Sequence, residues 1–239
     1  MEQNNKFMEV KKYYNERYTD KARTSRRLDD YKVFINHLKI KDPLEKSLFD
    51  IACGQGLTLK NAEKKGLKTF GLDISKNALK EAKENVEKSQ IVLCSGEDIC
   101  FKTKSFDYIT CLGSLEHFLD IPKAIFEMKR VAKPDATFCV LVPNNIHYRL
   151  DAKSKWGIKK IVGTKQKEMQ EELHLYKEWR NILQENGLKI LKVHKDLFFI
   201  RKKNPLKNVL FYLWLKLLPL KYSYQFIFIC QIETKNIDI

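Results

Sequence analysis

No two of the six cysteines (Cys53, Cys94, Cys100, Cys111, Cys139, Cys230) form a CxxC pair, and their spacings make no disulfide framework. Most lie inside apolar runs, where cysteine behaves as a small hydrophobe, so a reducing, cytoplasmic setting is expected. No Cys/His cluster has ligand spacing, and no metal site is expected. The opening residues, MEQNNKFMEVKKYY, lack the apolar stretch of a secretory leader. One apolar stretch, Val209 to Leu220, covers twelve residues and is interrupted by Lys216 and Pro219. A spanning helix needs ~20 apolar residues, so the stretch reads as a cap helix on a sheet edge. The alternative is a peripheral contact with the inner face of a membrane through residues 207–220. No internal repeat is visible.

Acidic residues are also in deficit. Thirty stand against 45 basic ones, for a formal net charge of +15. Such an excess suits a nucleic acid or an anionic membrane. The lysines are spread along the whole chain, however, and no Arg-rich block or basic stripe with interleaved aromatics stands out, which argues against nucleic acid. A hydrophobic content of 44% and a charged content of 31% are those of a globular protein. The 239 residues suffice for one large domain or a domain with a cap.

A third shortage is more informative. Leu48-Phe49-Asp50-Ile51-Ala52 runs directly into Cys53-Gly54-Gln55-Gly56, a helical stretch follows, and a second apolar run ends in Gly71-Leu72-Asp73. This is a strand, a glycine turn, a helix and a strand with an acidic tip, the arrangement that holds an adenosine-bearing cofactor. Glycine lets the backbone approach the ligand through a tight reversal, and the carboxylate suits ribose hydroxyls. The dinucleotide fingerprint has a third glycine, G-x-G-x-x-G. Here Gly54 and Gly56 are followed by Leu57, Thr58 and Leu59, and the best reason to expect a pyrophosphate is gone.

The remainder alternates. Strands are predicted at 47–52, 68–72, 90–94, 106–112 and 136–142, with helices at about 56–65, 75–89 and 120–132. Alternation of this kind predicts a parallel sheet covered on both faces. Asp120-Ile121-Pro122 reads as a helix start, and Lys133-Pro134-Asp135 as the stop and turn before the fifth strand. Residues 1–46 read as a polar helical lid on a domain of residues 47–239, with cap insertions at 143–172 and 197–224. A helix over 173–186 closes at Asn186-Gly187, and strands at Leu188–Val193 and Phe226–Ile232 end the chain.

Five blocks in order now resemble a family, the class I S-adenosylmethionine-dependent methyltransferases, in the broad group that includes ubiquinone-biosynthesis methyltransferases. They are Leu48 to Gly56, close to L-D-x-G-C-G-x-G; Gly71 to Ser75; Gly96 to Phe101; Ser105 to His117, opening on S-F-D; and Met128 to Pro134, followed by a strand ending in Val142-Pro143-Asn144. The resemblance spans about Ser47 to Val193. It implies a Rossmann-like α/β fold whose seven-stranded sheet is mostly parallel, with the last strand inserted antiparallel. It implies S-adenosyl-L-methionine as cofactor, with Asp50, Ala52, Cys53, Gly54 and Gly56 around the methionine moiety. Asp73 and Ile74 would lie at the ribose, Ser95, Gly96 and Glu97 beside the adenine, and the Leu112 backbone near the methionine moiety. Ala52 stands where the family usually has glycine, and Ser95 where it often has aspartate.

Methyl transfer from a sulfonium is an in-line displacement with an excellent leaving group, so proximity and orientation dominate and a base is optional. His117, after the fourth strand, is the candidate to take a proton from a hydroxyl or amine. Tyr14, Arg17, Asn144, His147 and His174 are candidates for the acceptor pocket. The expected acceptor is an oxygen or nitrogen on a small molecule such as a sugar or a lipid-like metabolite. The alternatives are an RNA methyltransferase and a non-catalytic cofactor-binding protein. The fourth strand ends in Leu-Gly-Ser-Leu-Glu-His, not an N-P-P-Y motif, and there is no Pro-Cys nucleophile pair.

Overall fold

A computed structural model describes residues 2–19, 26–147, 159–160, 172–197 and 205–233. The apolar runs become the centre of the molecule. Strands β1 (Ser47–Ile51), β2 (Lys68–Asp73), β3 (Gln90–Leu93), β4 (Phe106–Leu112) and β5 (Ala132–Pro143) pair in parallel. Two short strands, β6 (Ile146–His147) and β7 (Lys159–Lys160), pair with each other outside the main sheet. β8 (Leu188–Lys195) and β9 (Gln225–Ile232) complete a seven-stranded sheet in the order β3-β2-β1-β4-β5-β9-β8. The last strand, β9, enters antiparallel between β5 and β8, as the resemblance implied.

Helices cover both faces. α1 (Glu2–Arg17) and α2 (Lys32–His37) come before the sheet, α3 (Leu57–Lys64) and α4 (Lys76–Asn85) connect its first strands, α5 (Ile121–Val131) precedes β5, and α6 (Tyr176–Glu185) precedes β8. α7 (Pro205–Leu217) lies between β8 and β9. Strand alternation sorts the core. Phe138, Val140, Phe226 and Phe228 face one side with residues of α5 and α6, while Cys139, Leu141, Ile227 and Ile229 face the other with residues of α2, α3 and α4. Among the described residues no helix is long and apolar enough to cross a membrane.

Helix ends follow their capping residues. Ser75 Oγ accepts the Ala78 N–H at 3.1 Å, and Asp120 accepts that of Lys123 at 2.9 Å. Gly187, with φ +78°, closes the turn after α6. One boundary differs from expectation. Lys133-Pro134-Asp135 is not a turn before the strand: β5 already begins at Ala132, and its register against β4 shifts between Phe106 and Tyr108. Proline is tolerated there because a bulge does not need its missing N–H.

The bulge also delivers Lys133 to Asp107. That carboxylate accepts Lys133 Nζ at 2.8 Å, Lys46 Nζ at 3.0 Å, and the Ser47 N–H and hydroxyl at 3.0 and 2.9 Å. The aspartate of the S-F-D block thus ties β1, β4 and β5 together at the end of the sheet where β1 begins. Burial pushes its pKa up, but the bonds from Lys133, Ser47 and Lys46 outweigh it and hold the carboxyl well below the ordinary range. A depressed carboxylate stabilises above its unfolded pKa, and the contribution fades as pH falls through the folded value. Asp107→Asn is expected to cost about 1–2 kcal/mol above pH ~4, with the gap to wild type closing below it in thermal melts across pH.

Candidate active site

β1 and β2 end side by side, with Asp50 opposite Gly71 and Ile51 opposite Leu72. Between β1 and α3 the chain reverses through three left-handed residues, Ala52 (φ +55°), Gly54 (+53°) and Gly56 (+73°). Gly56 opens α3, and its N–H closes the turn onto the Cys53 carbonyl at 2.9 Å. A Cβ on Gly54 would sit 2.5 Å from the Tyr18 hydroxyl, so this glycine lets α1's exit close down on the turn. The third fingerprint glycine normally allows close helix–strand packing. Here Leu59 holds that position and the space comes from β2: a Cβ on Gly71 would meet Leu59 Cδ1 at 2.8 Å.

Two buried carboxylates flank the turn. Asp73 accepts the N–H groups of Gly54 at 2.9 Å and Ser75 at 2.8 Å, which fastens the turn and the start of α4 to the tip of β2. Ser75 caps α4, so Asp73 does not serve as the cap. Burial raises the Asp73 pKa, opposed by its bonds from the Ser75, Gly54 and Ile74 amides. Asp50 accepts the Thr110 hydroxyl and is hydrogen-bonded by Thr58. Complete burial outweighs those bonds and, with the charge of Asp73, pushes its pKa up to about 7. The Cys53 thiol is raised by burial and by both carboxylates, which keeps it unreactive.

These residues form the floor of a cavity of about 420 Å³, within the range of small-molecule sites. Asp50, Ala52, Cys53, Gly54, Asp73, Ile74, Ser95, Gly96, Glu97 and Leu112 all line it, together with His117, Tyr14 and Arg17. Gly56 lies just behind the wall, where it starts α3. The loop after β3 is braced from α5. Arg130 donates to the carbonyls of Ile99 at 2.6 Å and Phe101 at 2.9 Å, and Glu127 accepts the Ile99 N–H at 2.8 Å. Glu97 accepts the Asp120 N–H at 2.6 Å, joining this loop to the segment after β4. Phe118, which the sequence did not single out, presses on Gly96 so closely that a Cβ there would meet its ring at 2.6 Å.

The opposite wall comes from far away in sequence. α1 contributes Phe7, Val10, Tyr14 and Arg17 and is held to α4 through Asn15, which accepts from Ser75 Oγ at 3.0 Å and from Asn77 Nδ2 at 2.9 Å. Tyr18, Arg26, Tyr31, Tyr224 and Gln225 complete it. Arg26 joins the two ends of the chain by donating to Asp196 and to Gln225 Oε1, the latter at 2.7 Å. The Tyr14 hydroxyl is buried with no hydrogen-bond partner, and burial raises its pKa far above the ordinary tyrosine range. Its ring lies 5.9 Å, centroid to centroid, from that of His117. His117 Nε2 is 4.0 Å from Glu116 Oε1.

Asn144 and His174 do not reach this cavity. Asn144 Nδ2 donates to the carbonyls of Lys221 at 2.9 Å and Ser223 at 2.8 Å, pinning the approach to β9. His174 bonds Glu172 at 3.3 Å and packs edge-on against Trp179 at the start of α6. His147 lies in β6, and most of the expected 143–172 insertion falls outside the described residues. Among the described residues no group of His, Cys, Asp and Glu could hold a metal ion.

The cavity floor and the sheet around it have known counterparts. Residues 49–140 match a family described as a methyltransferase domain. A 2-phytyl-1,4-naphtoquinone methyltransferase of Trichormus variabilis is 31% identical over 125 residues, 47% of this chain and 54% of that protein. The human mitochondrial arginine-hydroxylase NDUFAF5 is 33% identical over 90 residues, 37% of this chain and 26% of that protein. The chain thus spans only a quarter to about half the length of these relatives. The solved structure of an S-adenosylmethionine-dependent methyltransferase from Mesorhizobium loti superposes with a TM-score of 0.65 at 15% identity, covering 86% of this chain and 100% of that one. The sheet order and the inserted antiparallel strand are those of the class I methyltransferase fold.

Ala52 is the one non-glycine of the turn's left-handed residues, and an L side chain there costs about 1–2 kcal/mol. Ala52→Gly gives back part of this in unfolded-state freedom. The variant is expected to be more stable by about 0.5–1 kcal/mol, read as a rise in the denaturant midpoint at unchanged slope.

Proposed function

We propose that this chain, whose domain is that of the S-adenosylmethionine-dependent methyltransferases, transfers a methyl group to an oxygen or nitrogen of a small-molecule acceptor by in-line displacement. One observation carries the reading: a turn of three left-handed residues between two buried carboxylates, Asp50 and Asp73, opens into a cavity that Tyr14 and His117 also line. Bound S-adenosylmethionine supplies a methyl group on a sulfonium, already activated for displacement. The residues present fit it. Buried Asp50 is short of a cation, the Gly54 backbone permits close approach, and the Tyr14 hydroxyl is short of a partner.

In this reading Asp73 accepts the ribose hydroxyls with the lone pairs that Gly54 and Ser75 leave open. Ser95, Gly96, Glu97 and Phe118 form the adenine slot, and Asp50 faces the amino group. α1 acts as the lid expected of the chain before β1 and excludes water from the methyl path, with Arg17 at its rim. Tyr14 orients the acceptor, and His117 takes its proton as the new bond forms. A sugar or lipid-like metabolite fits the mixed aromatic and cationic wall of Tyr14, Arg17, Tyr18 and Tyr31.

Because one relative is a hydroxylase, product mass is the direct test. Gain of one CH2 by the acceptor, with S-adenosylhomocysteine formed in equal amount, supports methyl transfer; gain of one oxygen overturns it. His117→Ala is expected to lower kcat by about 10²–10⁴ while S-adenosylhomocysteine affinity stays within about threefold, and Asp73→Asn to show the reverse emphasis.

Asp50 adds a pH signature. Its folded pKa is raised, so the unliganded protein loses this group's stability as pH rises from about 4 through 7. A ligand ammonium favours the ionised carboxyl. Binding at pH ~6 is therefore expected to release close to one proton, with affinity rising up to pH ~7 and flat above it. Calorimetry in buffers of different ionisation heat measures this, and Asp50→Asn should abolish the release.

A further inference from the structure

We propose that α7 docks this protein onto an anionic phospholipid surface, independently of what the cavity binds. Val209, Tyr212, Leu213, Lys216 and Leu217 fall at helical spacings of i, i+3, i+4, i+7 and i+8, which places them on one face. The face is turned to solvent: Val209 is 55% exposed, Leu213 50% and Leu217 85%. Packing as a cap on the sheet edge, the role expected of it from sequence, leaves this apolar face uncovered. Its length of 13 residues is far below a span, which leaves the plane of an interface as the place for it.

The charge along this segment of the chain selects the sign of that interface, set against Asp29, Asp30 and Asp196, which line a cavity with Tyr212. From Leu197 to Ile232 there is no acidic residue, while Lys207, Lys216 and Lys221 lie on or just beyond α7 and Arg201-Lys202-Lys203 precedes it in the chain. Tyr212 and Tyr222 carry Lys216 and Lys221 near their rings, at 5.9 and 5.0 Å, an amphipathic pairing suited to the headgroup level. The helix is held in place from below. Lys195, at the end of β8, donates to the carbonyls of Leu215 at 3.1 Å and Leu218 at 2.6 Å, capping the helix end and leaving the Leu213–Leu217 face outward. The same charge argues against a second copy as occupant. A two-fold interface would set each face against itself and bring like cations together. An anionic bilayer receives both the apolar side chains and the lysines.

The test is flotation of the full chain with vesicles of phosphatidylcholine alone and of phosphatidylcholine with about a third phosphatidylglycerol. Wild type should float with the anionic vesicles at least about tenfold more than with the neutral ones and be released by high salt. Leu213→Asp/Leu217→Asp should lose binding about tenfold or more, and Lys216→Glu/Lys221→Glu similarly, with circular dichroism and melting unchanged because these side chains are exposed. Failure of wild type to float with anionic vesicles at low salt overturns the proposal. So does flotation undiminished in the Asp variant, or a wild-type dimer in light scattering that the Asp variant dissolves.

Discussion

The site depends on the tether between Asp73 and the turn that precedes α3. A carboxylate buried at a strand tip is unfavourable unless its lone pairs are used. Asp73 uses them on the Gly54 and Ser75 amides, donors belonging to two different connections. The same bonds that make the carboxylate tolerable therefore fix the entry of α3 and the entry of α4 against β2. Asp50, Ala52, Cys53, Gly54, Asp73 and Ile74 on the cavity floor take their positions from those two entries or from the ends of β1 and β2.

Asp50 is held differently. Its neighbours are hydroxyls, from Thr110 on the adjacent strand and Thr58 in the first turn of α3, and among the described residues no cation compensates it. Asp73 is satisfied by fixed backbone donors, whereas Asp50 is left near neutral protonation and responsive to charge. The pair thus divides into a carboxylate held in place by backbone donors and one whose ionisation a cationic ligand would settle. This division follows from burial and partners, since both residues are aspartates at the ends of neighbouring strands.

The strands and the turn were legible because each has a local signature: apolar runs of strand length, glycines where φ is positive, and an acidic residue near each tip; the antiparallel last strand came only with the family resemblance. Two errors came from reading locally what is decided at a distance. Lys133-Pro134-Asp135 does follow the end of α5 but looks like a turn before the strand, whereas a bulge in β5 absorbs it and sends Lys133 to Asp107. Asn144, polar and just past a strand end, looks like a pocket residue; its amide is instead taken by the carbonyls before β9, nearly eighty positions on in the chain. Phe118 was legible only as an aromatic beside His117, since its contact with Gly96 requires the loop after β3 to fold back. Val209–Leu220 was correctly seen as too short to span, but its outward face could be known only once the helix was placed on the sheet edge.

The boundary of the family match divides the cavity in a way that bears on specificity. Asp50, the turn, Asp73, the Ser95–Glu97 loop and His117 all lie within residues 49–140, and so does Phe118. Tyr14, Arg17, Tyr18, Arg26, Tyr31, Tyr224 and Gln225 all lie outside it. The wall facing that floor is thus built from described residues between Phe7 and Tyr31 and from the start of the last strand, clamped to each other by Arg26 on Asp196 and Gln225. A shared floor can fix only what is common to the family. Under the proposed activity, selection of the molecule to be methylated would fall to the contacts of that clamped wall. Of its polar groups the Tyr14 hydroxyl is buried without a hydrogen-bond partner, a donor that an oxygen of a bound molecule would satisfy.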